Sequence, residues 1–428
     1  MTAGAEPRPP GEPPSIERLR GNIPRIMVLN SAWMFLVIMP VVVTLFVDHG
    51  LSMEQVFWLQ SIFAGCIVLL EVPSGYLADL FGRRRSLILA GVFHGAAYTV
   101  LALADSFALF VCFEVLAALG NSFFSGSDVA LLYDTEAALG ERGQGTRTLG
   151  RRLLWAQVGE TAAALLCGVL VVHGLGWPAT VNAVVAWVPL LLAFGLVEPP
   201  RRRAGTDHRE NIRSILRVLF RGDPTLRLTF IALVVYGLAT LLAVWSFQDY
   251  WRSIGVPLAW FGVIWAAYNL TVALVGRVAH RLERGIGARA VIICIGLMPI
   301  LGYGGMALGA GEGAGEAGRA GPLVLLFAVA AGLTFQVGRG LNQVVVKGAM
   351  NHRVPAELRA TANSLSSLGV RVLFVGIGPA MGWGFDVRGY GPTFAWVTAL
   401  FSLLLVLVAL PLVLRIGAAA PDEETSRP

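Results

Sequence analysis

Apolar segments of helical length recur twelve times along the chain, near 25–47, 54–78, 86–104, 107–132, 149–172, 176–197, 227–249, 257–279, 289–310, 322–346, 360–384 and 391–415. A membrane-crossing helix needs ~20 mostly apolar residues. The apolar content of 56 % in 428 residues amounts to about 240 positions, enough for twelve spans with little left for a soluble core. Charged residues make up only 14 %, against roughly 25 % in soluble domains. An ordinary soluble enzyme, a disulfide scaffold and a disordered chain are all excluded. The sequence predicts an all-α polytopic membrane protein.

The charges order these spans. All but one of the 33 basic residues are Arg, the exception being Lys347. Arginines crowd every second connection, while the intervening ones carry only Arg252, Arg319 and Arg388. Basic loops stay in the cytoplasm, so both termini are expected inside, in the plasma membrane of a bacterium. The net charge of +6 thus reflects topology and lipid contact, and nucleic acid is not an expected partner. Residues 1–22, rich in Pro and charge, read as a disordered cytoplasmic tail. Residues 23–198 form a first six-span half, 199–226 a basic linker, 227–415 a second half and 416–428 a second tail. In the linker, Arg209, Arg213, Arg217 and Arg221 recur every fourth residue, a basic stripe suited to anionic headgroups. Cys66, Cys112, Cys167 and Cys294 all fall in apolar runs without metal-ligand spacing, so they read as free thiols.

A repeat supports the two halves. Gly75-Tyr76-Leu77-Ala78-Asp79 precedes Arg83-Arg84-Arg85 after span 2, and Gly276-Arg277-Val278-Ala279-His280 precedes Arg281 and Arg284 after span 8. Such duplication places a substrate site between the halves near the membrane midplane. The loop Gly75-Tyr76-Leu77-Ala78-Asp79-Leu80-Phe81-Gly82-Arg83-Arg84-Arg85 resembles the signature loop of the major facilitator superfamily, departing from it only at Leu80. The segment from Pro355 to Ser364 looks like the start of that superfamily's span 11. The resemblance implies a fold of two pseudo-symmetric six-helix halves working by alternating access. It also implies a conformational latch: Gly75 for close helix approach, Asp79 at the helix end, Gly82 for the turn, Arg83 reaching an acidic partner, and Asp128 as that partner. Two features of many proton-linked exporters are missing. Span 4 has Glu114 through Gly120 where an arginine pattern is common, and span 5 has no Gly-Pro pair after Gly159.

Ionisable groups inside a span cost ~3 kcal/mol on insertion scales and so mark candidate functional positions. Glu160 is the first candidate for proton coupling and Glu114 the second, with Glu71 a third; each has the alternative of a fixed structural partner. Glu71 shares a helical stripe with Ser74, Gly75 and Ala78. By superfamily analogy span 2 faces span 11, so Glu71 and Arg371 are a candidate pair between halves. Arg339 either meets an anionic substrate or snorkels to the surface. Asn30, Trp33, Tyr236, Trp245, Gln248, Gln336, Arg339 and Asn342 are candidate cavity residues, suited to a mostly apolar substrate with some hydrogen-bonding groups; Trp33 and Trp245 have the equal alternative of filling space between helices. His94 stands alone and reads as a packing residue. No metal, cofactor or nucleotide site and no enzyme motif is expected. The sequence predicts a monomeric secondary transporter, with lipids as surroundings and protons as coupling ion, that exports a small drug-like or metabolite molecule. Uptake or facilitated transport of an organic anion is the alternative, and a sensor without transport a second one.

Overall fold

In the computed structural model of the chain, residues 15–141, 145–200, 214–219, 222–312 and 321–418 are described. Among them there is no strand, and the helices follow the twelve expected segments. Span 2 runs Met53–Phe81, span 3 Arg83–Leu103, span 5 Gly145–Leu170, span 7 Pro224–Ser253 and span 11 Arg359–Arg388. Spans 8 and 9 form one helical run, Leu258–Glu312, interrupted at Gly287, whose φ of 82° only glycine adopts without strain. Ten helices among the described residues are long and apolar enough to cross a membrane. The fused pair and a divided span 1 account for the difference from twelve.

Span 1 departs from the single helix expected over 25–47. It is Asn22–Trp33, then a 3₁₀ turn Met39–Val41, then Val42–Asp48. Pro40 in that turn has no N–H and its ring would clash with the carbonyl four residues back, so the helix must stop ahead of it. Span 4 breaks likewise at Gly126 (φ 81°) into Phe107–Phe124 and Ser127–Ala138. Span 6 divides into Gly176–Val185 and Val188–Phe194, the second opening on Pro189. Span 10, Pro322–Leu341, continues through a π-helical turn, Asn342–Val346, into Lys347–Arg353. Span 12 does the same at Leu405–Ala409, between Tyr390–Leu404 and Leu410–Ala418.

Of the expected tail 1–22, residues 1–14 lie outside the described residues, and Ile16–Arg20 is helical. Of the basic stripe in the linker, Arg209, Arg213 and Arg221 lie outside the described residues, while Arg217 sits in a short helix at 214–219.

Each half has its own aromatic packing. In the first, Trp33 lies between His94 and Phe124, with ring centroids at 4.1 and 3.9 Å. In the second, Tyr303 meets Phe335 at 4.6 Å and Phe401 at 5.7 Å. The halves meet along three seams, all toward the end away from the arginine-rich loops, here called the far end. Spans 5 and 8 approach so closely that a Cβ on Gly262 would lie 2.1 Å from the Ala164 carbonyl, the small-residue contact that lets membrane helices touch. Spans 2 and 11 touch through Phe57, Phe374 and Phe385. At their tips the Asp386 carboxylate accepts from the Met53 and Glu54 amides at 2.9 and 2.8 Å. Those amides open span 2, where a helix N-terminus attracts an anion, and charged hydrogen bonds contribute about 1.5–3 kcal/mol each. In the third seam Gln248 of span 7 clasps the broken part of span 1, accepting from Val43 N–H and donating to Met39 C=O, both at 2.8 Å. Toward the basic end the seams part. A Cβ on Gly75 would meet nothing within 4 Å, and Tyr76, Leu80 and Phe81 are exposed.

Candidate functional site

The parting halves leave a cavity of about 410 Å³ that runs from mid-membrane toward the basic end. Its wall is uneven. Spans 7, 10 and 11 supply most of it, and the first half contributes only Gln60, Phe63 and Ala64 of span 2. The polar lining includes Thr240, Asn342, Gln343, Asn363, Ser366 and Ser367, and the apolar lining includes Trp245, Val370 and Phe374. Arg339, Lys347 and Arg371 face the same space, and no carboxylate lines it. Arg371 donates to Ser367 Oγ at 2.6 Å. Three cations and many amides or hydroxyls in a partly apolar cleft suit an organic molecule rich in acceptor groups.

Of the eight expected cavity residues, the structure brings Trp245, Arg339 and Asn342 to this wall; Asn342 also donates to the Leu233 carbonyl at 3.2 Å. The other five lie elsewhere. Asn30 is buried and turns back to its own helix, donating to the Ile26 carbonyl at 3.0 Å. Trp33 is held in the stack with His94 and Phe124. Tyr236 and Gln336 are buried within the second half, and Gln248 is the seam clasp described above. The break at Met34–Ile38 resets the helical phase after Trp33, so the face of span 1 could not be extrapolated along the whole segment.

The carboxylates separate into different settings. Glu160 sits at the 5–8 seam, where its Oε1 accepts from Asn269 at 2.8 Å and Trp265 at 3.3 Å across the halves, and its Oε2 from Gln157 at 3.2 Å. Glu114 is buried inside the first half and accepts from Gln60 Nε2 at 2.6 Å. Glu71 and Arg371 form no ion pair within 4.0 Å among the described residues, although the Glu71 charge stands near enough to act on the Arg371 guanidinium.

The latch residues are distributed differently from the expectation. Arg83 pairs with Asp79, one turn back, at 2.6 Å. Asp128 is paired instead with Arg152 of span 5, whose Nε and Nη2 both reach Oδ2 at 2.5 Å. After the break at Gly126 the second segment of span 4, with Asp128 in its first turn, packs against the start of span 3, where Ser127 Oγ donates to Ser86 Oγ at 3.0 Å, and reaches span 5 through Arg152. Gly82, at φ 118°, makes the turn into span 3. The exposed start of span 3 is capped by Glu198, which accepts from the Arg83 and Arg84 amides at 2.9 and 2.8 Å. Arg152, Glu198, Asp386 and Gln60 were not singled out from sequence. Glu198 did carry a signal, since an acid among basic loops does not serve the charge bias that sets topology.

The comparisons with known proteins agree with this architecture. The profile of the Major Facilitator Superfamily matches residues 26–379. A chloramphenicol resistance protein of Streptomyces lividans is 28 % identical over 395 residues, covering 88 % of this chain and 92 % of that protein. Among solved structures, the nucleoside transporter NupG superposes with a TM-score of 0.76 at 10 % identity, over 92 % of this chain and 99 % of that one. A D-xylose-proton symporter gives 0.69 at 15 % identity, over 92 % and 97 %. With that profile over most of its length, and with two six-helix halves around a central cavity, the chain belongs to the Major Facilitator Superfamily and is a multi-pass membrane transporter of small molecules, not an enzyme.

Proposed function

We propose that the chain is a secondary transporter that exports a small drug-like or metabolite molecule from a bacterial cell in exchange for protons. The observation that carries the reading is the central cavity, open at the basic end and sealed at the far end. Basic loops face the cytoplasm, so both termini are cytoplasmic and the cavity stands open to the cell interior, where an exporter loads. The direction rests on the resistance protein, 28 % identical over most of both chains. The reading is of a monomer in the plasma membrane, supported by a cavity whose lining comes from one chain.

Inside-out vesicles with an acid interior and a pH-reporting dye test this. Adding chloramphenicol, then a panel of other drugs, metabolites and organic anions, is expected to release protons for at least one compound, and only in vesicles containing the chain. A second reading, uptake or facilitated transport of an organic anion, is favoured by Arg339, Lys347 and Arg371 on a wall without carboxylates. It takes precedence if no compound releases protons while one of the anions raises the melting temperature of the purified protein.

In either direction the cavity must also open to the other side, which requires the basic end to close. Glu71 and Arg371 stand on the two spans that would then converge. Glu71→Gln is expected to cut transport at least about fivefold, about 1 kcal/mol in the closed state's population. Exchanging the two charges (Glu71→Arg with Arg371→Glu) recovers part of it. No recovery in a well-expressed double variant removes the pair from the mechanism.

A further inference from the structure

Behind the wall of the cavity, Gln60 joins two environments. Its side chain lines the central cavity, and its Nε2 donates to Glu114 Oε1 at 2.6 Å. Glu114 is itself only 3 % exposed, and no cation touches it among the described residues. The titratable groups that face it are neutral ones, the Cys66 thiol of span 2 and the Tyr98 phenol of span 3, with His94 beyond, edge-to-face with Tyr98 at 4.9 Å. The cations Arg339, Lys347 and Arg371 stand on the cavity side of Gln60. Glu160, by contrast, accepts from three N–H donors at the 5–8 seam and does not line the cavity.

Resting on the reading of a proton-coupled exporter, we propose that Glu114 is the proton-binding site and that the Gln60 amide transmits its charge state to the substrate. An amide has one donor end and one acceptor end. With Glu114 ionised, Gln60 must offer it the NH₂ group, which leaves the carbonyl oxygen for the cavity. When Glu114 takes up a proton, the new O–H needs an acceptor; the amide turns over, gives Glu114 its carbonyl oxygen and shows NH₂ to the cavity. One proton is bound, one hydrogen bond is exchanged for another, and no other covalent bond changes. A substrate that donates a hydrogen bond from a hydroxyl or amide N–H is held by the ionised state and released by the protonated one. That sign makes exchange, rather than co-transport, the outcome for a hydroxylated or amide-bearing molecule.

Infrared spectroscopy of the purified full-length chain in lipid bilayers, titrated with acid, tests this without any substrate. A C=O stretching band of a protonated carboxylic acid is expected to grow in, to be lost in Glu114→Gln and to persist in Glu160→Gln. Glu114→Asp, which keeps an acid at the position, retains a displaced band and guards against misfolding of the first variant. Gln60→Leu is expected to keep the band but shift its wavenumber, because the acid O–H loses its amide acceptor. A band that survives in Glu114→Gln, or one that Gln60→Leu leaves unmoved, overturns the proposal. Proton release absent from the vesicle assay while this band behaves as expected would instead reject coupled export and leave the proton site standing.

Discussion

Arg152→Ala is expected to be the most damaging single substitution in the first half. Asp128 is 1 % exposed and its charge is met by Arg152 Nε and Nη2 at 2.5 Å. Removing one partner of a buried ion pair strands the other charge in a low-dielectric interior, at a cost of about 3–5 kcal/mol. A membrane protein of ordinary stability loses much of its margin at that cost, so yield and melting temperature in detergent should both fall steeply. Adding Asp128→Asn removes the stranded charge and should restore most of the loss. The pair has no such role if Arg152→Ala melts with the parent, or if the double variant is no better than the single one. Since Arg152 does not line the cavity, the restored double variant also separates stability from transport.

The other large effect is expected at the 5–8 seam. In Gly262→Leu the new Cβ falls 2.1 Å from the Ala164 carbonyl. Backbone cannot yield there without moving span 5 or span 8 as a whole. Overpacking of this kind costs about 1–3 kcal/mol, and here the cost falls only on the state sealed at the far end. At 3 kcal/mol that state loses roughly a hundredfold in population relative to its alternative, and transport should drop at least tenfold. The chain carries its own reporter in Cys167, fully buried beside Gly168, which in turn faces the Ala259 carbonyl. With Cys66, Cys112 and Cys294 replaced by alanine, a maleimide should leave Cys167 unlabelled in the parent and label it in Gly262→Leu. Equal labelling of the two proteins would show that the seam tolerates the side chain.

Much of the architecture was legible because it depends on local pattern. Twelve apolar segments, alternating basic loops and the loop from Gly75 to Arg85 each announce themselves within one stretch of chain. What sequence reasoning missed depends on rotation and approach. Trp33 and Trp245 look alike as aromatics in apolar spans, yet one is locked in a stack and the other faces the cavity. Which of them turns inward is decided by the neighbours each helix meets, His94 and Phe124 for Trp33 and the cavity for Trp245. The Asp128–Arg152 pair of this state was likewise out of reach of the sequence, because it depends on how spans 4 and 5 approach each other. Gln60 is one amide within an apolar span, and only the approach of span 4 makes it a link to Glu114.

The far-end seals have an asymmetry that bears on how this transporter tolerates change. Asp386 and Gln248 grip main-chain atoms of Met53, Glu54, Val43 and Met39, never their side chains. Genetic drift on the gripped side is therefore nearly invisible to the seal: any residue at 43, 53 or 54 still presents the same N–H, proline alone excepted. Drift on the gripping side is not, since no other side chain offers Asp386's two oxygens or Gln248's paired donor and acceptor at that reach. The gate is thus half written in side chains and half in the peptide bond. A population under selection for new substrates could vary one half of its outer rim freely while the other stays fixed.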